Sequence, residues 1–252
     1  MSSKALSTPA NQTLPSLSSL LFNSLRLIRQ NFNSILGYTG WLLLPIIAHI
    51  IIRTTLGLTD LSATLDLIAN LALIFIGVSI YNTIALHVPV WKTLHTNDSL
   101  RLAASTTASS TAQKNITSVA WVMIISGLTS LIGFVAVAIP GLLLATWFAF
   151  APLTVLFENT RGTAALQRSR NLVRGRFWNV AYRLWSFNFI ILLTYLIIAA
   201  IILFAFGFQP TASFGEWTPP LAADTLMSLL EIASFPLIIV YTTLLYQALK
   251  VE

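Results

Sequence analysis

Apolar residues in this chain come in long runs separated by short polar stretches. Six runs stand out, at about 37–52, 67–86, 116–139, 141–157, 186–206 and 226–249. A helix needs about 20 apolar residues to cross roughly 30 Å of hydrocarbon, and lipid offers no partner for a free backbone N–H or C=O. None of the runs alternates with period two, the pattern of a β-barrel strand. The predicted fold class is all-α: an integral membrane bundle of six transmembrane helices with two amphipathic interfacial helices.

The first interfacial helix is predicted over 15–33. Leu21, Leu25, Ile28, Phe32 and Ile35 recur at steps of four and three, while Asn23, Arg26, Gln30 and Asn33 take other faces. Such a helix lies in the headgroup layer; a cytoplasmic extension of the first span fits the periodicity equally well. The second is predicted over 162–174, where Ala165, Leu166, Ser169, Leu172 and Val173 share a face and Gly175 reads as the stop. A weak repeat joins them: Ser24-x-x-Leu27-Ile28-Arg29-x-x-Phe32 matches Ser169-x-x-Leu172-Val173-Arg174-x-x-Phe177. Residues 1–14 are polar and expected to be disordered, without the apolar core of a signal peptide. Residues 15–252 read as a single membrane domain.

Other features predict local geometry. The Ser/Thr/Ala-rich segment from Thr96 to Asn115 reads as a flexible linker, helical in part. Ile139-Pro140-Gly141 is expected to be the tight turn between the third and fourth spans, and Gly127 and Gly133 to let a neighbouring helix come close. Pro45, Pro152 and Pro236 fall inside predicted spans and are expected to kink them. Asn70, Asn82 and Asn188 are expected to make interhelical hydrogen bonds.

Composition agrees with a membrane protein. The 252 residues are 56% hydrophobic and 9% charged, against roughly 25% charged in soluble domains. The sequence contains no cysteine, which excludes disulfides and thiolate metal sites. A net charge of +6 does not indicate nucleic acid binding, because the cations are spread along membrane edges and no soluble domain exists to hold a duplex.

Charge also orients the bundle. With six crossings, Lys4, Arg26, Arg29, Lys92, Arg101, Lys114, Arg161, Arg168, Arg170, Arg174, Arg176, Arg183 and Lys250 all fall on one side. The opposite side has only Arg53, together with Asp60, Glu216 and Asp224, and with Asp66 at a span edge. Positive charge stays cytoplasmic during insertion. The prediction is a multi-pass cell-membrane protein with both termini cytoplasmic.

The layout resembles the membrane domain attached to some bacterial glycerophosphoryl diester phosphodiesterases, and related uncharacterised integral membrane proteins. The resemblance rests on Ile139-Pro140-Gly141, Pro152, Glu158, Ala165-Leu166-x-Arg168-Ser169-x-x-Leu172-Val173-x-Gly175-x-x-Trp178, Pro236 and Tyr246-Gln247-Ala248-Leu249-Lys250. The layout covers most of the chain from about residue 15; the specific part is Ile139 to Trp178. The phosphodiesterase active site belongs to a separate soluble barrel, typically of about 250 residues, which nothing here encodes. The resemblance therefore implies no catalytic activity.

Candidate chemistry is sparse. Arg161, Arg168, Arg170, Arg174 and Arg176 form a cluster suited to anionic lipid headgroups, at roughly 1 kcal/mol per basic residue near the surface, or acting only to enforce topology. Glu158 is placed to pair with Arg168 as a structural ion pair. His49, Asp66 and Glu231 lie at similar depth and would line a polar cavity if they meet; otherwise each reaches the interface alone. His87 and His95 read as inner-edge residues without a metal role. No HExxH, Walker loop, GxSxG or metal-ligand cluster occurs. The leading expectation is a non-enzymatic membrane protein, without cofactor or metal, organising anionic lipid or a protein partner at the cytoplasmic face. The alternative is a small-solute or ion transporter or channel subunit, and an intramembrane enzyme ranks third.

Overall fold

The computed structural model describes residues 14–56, 60–93, 98–136, 138–207 and 221–250. These residues fold into helices and contain no strand. In chain order they are α1 Leu17–Gln30, α2 Phe32–Thr39, one 3-10 turn at Gly40–Leu42, α3 Leu43–Leu56, α4 Asp60–Thr93, α5 Asp98–Lys114 and α6 Ile116–Ala136. There follow α7 Ala138–Phe148, α8 Ala151–Glu158, α9 Thr163–Val173, α10 Phe177–Ala205 and α11 Leu221–Lys250.

Five stretches are long and apolar enough to cross a membrane: Leu71–Lys92, Ile116–Val135, Ile139–Glu158, Phe177–Ala205 and Ala222–Lys250. They mark a multi-pass membrane protein. The first expected run differs. It is divided among α2, the 3-10 turn and α3, and only a shorter apolar stretch, Phe32–Ala48, is found there. A Cβ at Gly37 or Gly40 would meet nothing within 4 Å, so no close approach requires glycine there, and glycine weakens a helix by roughly 0.5–1 kcal/mol relative to alanine. Pro45 sits in the first turn of α3, where its missing N–H is not needed.

The expected interfacial helix over 15–33 is α1 followed by α2. Ser16 caps α1, its Oγ accepting the Ser19 N–H at 3.2 Å. The expected apolar stripe is buried only in part, with Ile35 in the core and Leu21 and Ile28 half-buried against it. Leu20, Ser24 and Leu27 are buried, with α1 packing on α11, while Leu25 and Phe32 remain exposed. The helix thus has two apolar faces, one for the bundle and one free to meet lipid. Of the expected disordered segment only Leu14 is described, and it is buried; residues 1–13 lie outside the described residues.

The Ser/Thr/Ala-rich segment is a 17-residue helix, α5. Ala108 and Ala112 are buried, and α5 packs along α4. Asn82 Nδ2 donates to the Ala112 carbonyl at 3.3 Å. Hydroxyls of Thr106, Thr107 and Ser110 return to carbonyls of their own helix, so they are satisfied without a partner from another element. Of the other expected bridging asparagines, Asn188 donates within α10, to Leu184 O, and the Asn70 side chain lies outside the described structure.

Pro140-Gly141 also differs from expectation. It lies in the first turn of α7, so the break between the two helices precedes it. Its glycine still matters for the α6–α7 hairpin. A Cβ on Gly133 would meet Gly141 Cα at 3.0 Å, and one on Gly141 would meet Phe134 Cγ at 2.5 Å. Gly127 has open space around it. Pro236 alone of the three expected kink sites lies inside a helix, α11.

The core forms where α4, α8 and α11 meet, around Ile84, Val88, Leu153, Ile239 and Leu245. Phe187 of α10 stacks on Tyr241 of α11 with centroids 3.7 Å apart. The core lies toward the end that gathers Lys92, Glu158 and Lys250. Outer faces of α6 and α10 expose Leu128, Leu131, Ile197 and Phe204, as lipid-facing helices should.

Candidate functional site

The arginine-rich segment folds as a short helix locked onto a broken one. The fourth apolar run does not continue through residue 150: α7 ends at Phe148 and α8 starts at Ala151, with Pro152 in its first turn. Proline offers no N–H and cannot continue the preceding helix, so the break leaves backbone groups to be satisfied at membrane depth. Ser169 of α9 does this. Its Oγ donates to the Trp147 carbonyl at 2.6 Å and accepts the Phe150 N–H at 3.2 Å. Thr154 Oγ1 reaches Ala151 O at 2.8 Å and Ala165 O at 3.3 Å, and accepts from Thr160 Oγ1 at 3.1 Å. Ala165, Ser169 and Val173 form the buried face of α9.

Two backbone conformations set the α8–α9–α10 path. Asn159 ends α8 in the left-handed region at φ 58°. Gly175, the stop expected from sequence, has φ 88° between α9 and α10, a value open to glycine without a Cβ clash.

Glu158 and Arg168 are brought together. Arg168 Nε donates to Glu158 Oε2 at 2.6 Å and Nη2 reaches Oε1 at 3.4 Å. Tyr246 OH donates to Oε1 at 2.9 Å, and Lys250 Nζ lies 3.9 Å from the same oxygen. One carboxylate thereby joins α8, α9 and α11, and its hydrogen bond pushes the Arg168 guanidinium further above its ordinary value.

The five arginines separate by role. Arg168 is held by Glu158. Arg170 lies over the Trp147 ring, 4.6 Å from its centroid, in cation–π range. Arg161, Arg174 and Arg176 are exposed. An apolar groove of about 890 Å³ runs between α7 and α10, lined by Leu142, Leu143, Phe177, Trp178, Tyr182 and Trp185 among others, with Phe177 directly following Arg176 in the chain. Its floor is closed by Trp185 Nε1 donating to Thr146 Oγ1 at 2.8 Å. Trp178, at its arginine-bearing end, is 80% exposed.

Arg183, which the sequence marks only as a topological charge, ties the chain start to α10. Its Nε donates to Pro15 O at 2.7 Å and Nη2 to Leu14 O at 3.0 Å. Tyr241 OH donates to the Arg183 carbonyl at 2.9 Å.

The expected polar cavity is not assembled from described side chains. Glu231 is exposed and accepts from Tyr195 OH at 3.3 Å. The His49 and Asp66 side chains lie outside the described structure, as does His95. His87 is buried; its Nδ1 faces the Thr83 carbonyl at 2.6 Å and so carries the proton, and its Nε2 is 3.3 Å from Tyr38 OH. Among the described residues no group of three or more His, Cys, Asp or Glu could hold a metal ion.

Burial is alike at two of the paired positions of the repeat. Ser24 and Ser169 are both fully buried, whereas Arg29 and Arg174 are both exposed. The helices use them differently: Ser24 Oγ donates within α1, to Leu20 O, and Ser169 repairs another helix. Sequence reasoning named Ser169, Tyr246 and Arg183 but gave them no bonding role. The readable signal was a lone hydroxyl on the apolar face of α9, downstream of a proline-broken run. A scan of family models finds no match to this chain, and neither the curated proteins nor the solved structures contain a significant one.

Proposed function

We propose that this is a non-enzymatic, six-crossing membrane protein that holds anionic phospholipid at its cytoplasmic face, both termini lying on that side. The observation that carries the reading is the arrangement of the arginines in α9 and on its two flanks. Arg168 and Arg170 anchor the helix to Glu158 and Trp147, while Arg161, Arg174 and Arg176 on the flanking segments present exposed side chains, and the apolar groove begins at Phe177 and Trp178, next in the chain after Arg176. Guanidinium groups match phosphate geometry, interfacial Trp178 suits the headgroup layer, and the groove suits acyl chains. The positive-inside rule supports the orientation, and the divided first run would complete the sixth crossing.

The test uses protein reconstituted in mixed vesicles and the relative association of spin-labelled phosphatidylglycerol over phosphatidylcholine. Arg161→Gln, Arg174→Gln and Arg176→Gln together should reduce the anionic preference, by about 1 kcal/mol per residue at most, and added salt should do the same. An unchanged preference in the triple variant would overturn the reading.

A further inference from the structure

A second concavity, lined by polar side chains, opens at the same basic end of the bundle and is formed by other residues. It has a volume of about 330 Å³ and lies between α1 and the ends of α4 and α11. Asn23, Arg26 and Gln30 supply one wall from a single face of α1, and Lys92 and Gln247 supply the other. Leu20, Leu27 and Leu244, all buried, form an apolar floor. Among the described residues none of these five polar side chains has a hydrogen-bond or ion-pair partner, and no acid lines the concavity.

The shape is built in advance. Pro15, at the rim, is held through its carbonyl by Arg183 Nε, and Tyr241 fixes that stretch of α10 to α11. Two cations facing one space with no acid between them repel each other, and an anion relieves this. Arg and Lys suit phosphate oxygens through charge-assisted bonds. Carboxamides donate and accept together, as hydroxyl groups require. The volume falls at the small end of small-molecule sites, roughly 300–1,000 Å³.

From this arrangement we infer that the concavity binds the phosphate ester of a small polyhydroxylated group. The same chemistry is offered by a free sugar or polyol phosphate and by a phospholipid headgroup. The site shares no residue with the α9 platform and does not rest on the lipid reading above.

Two arms separate the sources. In detergent, inositol 1-phosphate is titrated against the full chain by calorimetry, with inositol and inorganic phosphate as comparisons. In vesicles, the association of spin-labelled phosphatidylinositol over phosphatidylcholine is measured. Binding in the first arm identifies a free solute, and binding in the second alone identifies a headgroup. In whichever arm binds, Arg26→Gln and Lys92→Gln should each weaken it roughly tenfold, and Arg26→Lys should keep part of it. Unfolding temperature is recorded for each variant, and both positions are exposed, so a lost fold is separable from a lost site. Binding in neither arm, binding unaffected by either Gln variant, or equal binding of uncharged inositol would overturn the inference.

Discussion

Ser169 Oγ and the Trp147 carbonyl are 2.6 Å apart, and the same oxygen takes the N–H of Phe150. A side chain from the arginine-bearing helix thus completes the backbone of a membrane-embedded one. Ser169→Ala should lower stability by about 1–3 kcal/mol, the penalty for leaving buried polar groups unpaired, although alanine is the better helix former. Ser130→Ala removes a hydroxyl that bonds only within its own helix and should stay within about 0.5 kcal/mol. Reversible unfolding in detergent measures both; equal stabilities would argue against the repair role.

Glu158 serves three donors, so its loss should exceed the loss of any one of them. Arg168 is partly exposed, with 43% of its side chain accessible, and water screens its share to about 0–1 kcal/mol. The Tyr246 hydroxyl is more enclosed. Glu158→Gln should therefore destabilise more than Arg168→Gln. Combined with Tyr246→Phe it should show a coupling of about 0.5–1 kcal/mol in a double-mutant cycle. Strict additivity would mean the two groups do not interact.

Helix approach at Gly141 leaves no room for a methyl group, because the missing Cβ would lie 2.7 Å from the Phe134 backbone nitrogen. Gly141→Ala should destabilise the α6–α7 hairpin by about 1–3 kcal/mol. Gly127→Ala meets nothing within 4 Å and should be neutral or stabilising by about 0.5–1 kcal/mol. The reverse order of unfolding temperatures would mean the helices are not packed as described.

The long apolar runs were legible because their length is a direct physical requirement of the bilayer; α6 and α10 lie where the runs predict. Gly175 was legible because a helix stop with positive φ favours glycine. Glu158 and Arg168 were nameable because a carboxylate at a span end beside arginines has an obvious partner. Other features depend on contacts distant in sequence. Nothing local shows that α5 is a helix with Ala108 and Ala112 against α4, since its serines and threonines look like those of a linker. The break before Pro152 was legible as a disturbance, but its repair comes from Ser169, far along the chain. Asn23, Arg26 and Gln30 read as the polar side of an interfacial helix, and only the fold sets Lys92 and Gln247 opposite them.

The claim that α9 is a lipid platform is tested most directly by finding where its exposed face sits. The chain has no cysteine, so Asn171→Cys on that face accepts a single nitroxide. In vesicles containing a lipid whose headgroup carries a paramagnetic chelate, the account expects strong relaxation enhancement at this label. The enhancement should rise with the anionic lipid fraction and fall when Arg174 and Arg176 are replaced by glutamine. A label that senses only bulk water, whatever the lipid composition, would contradict it.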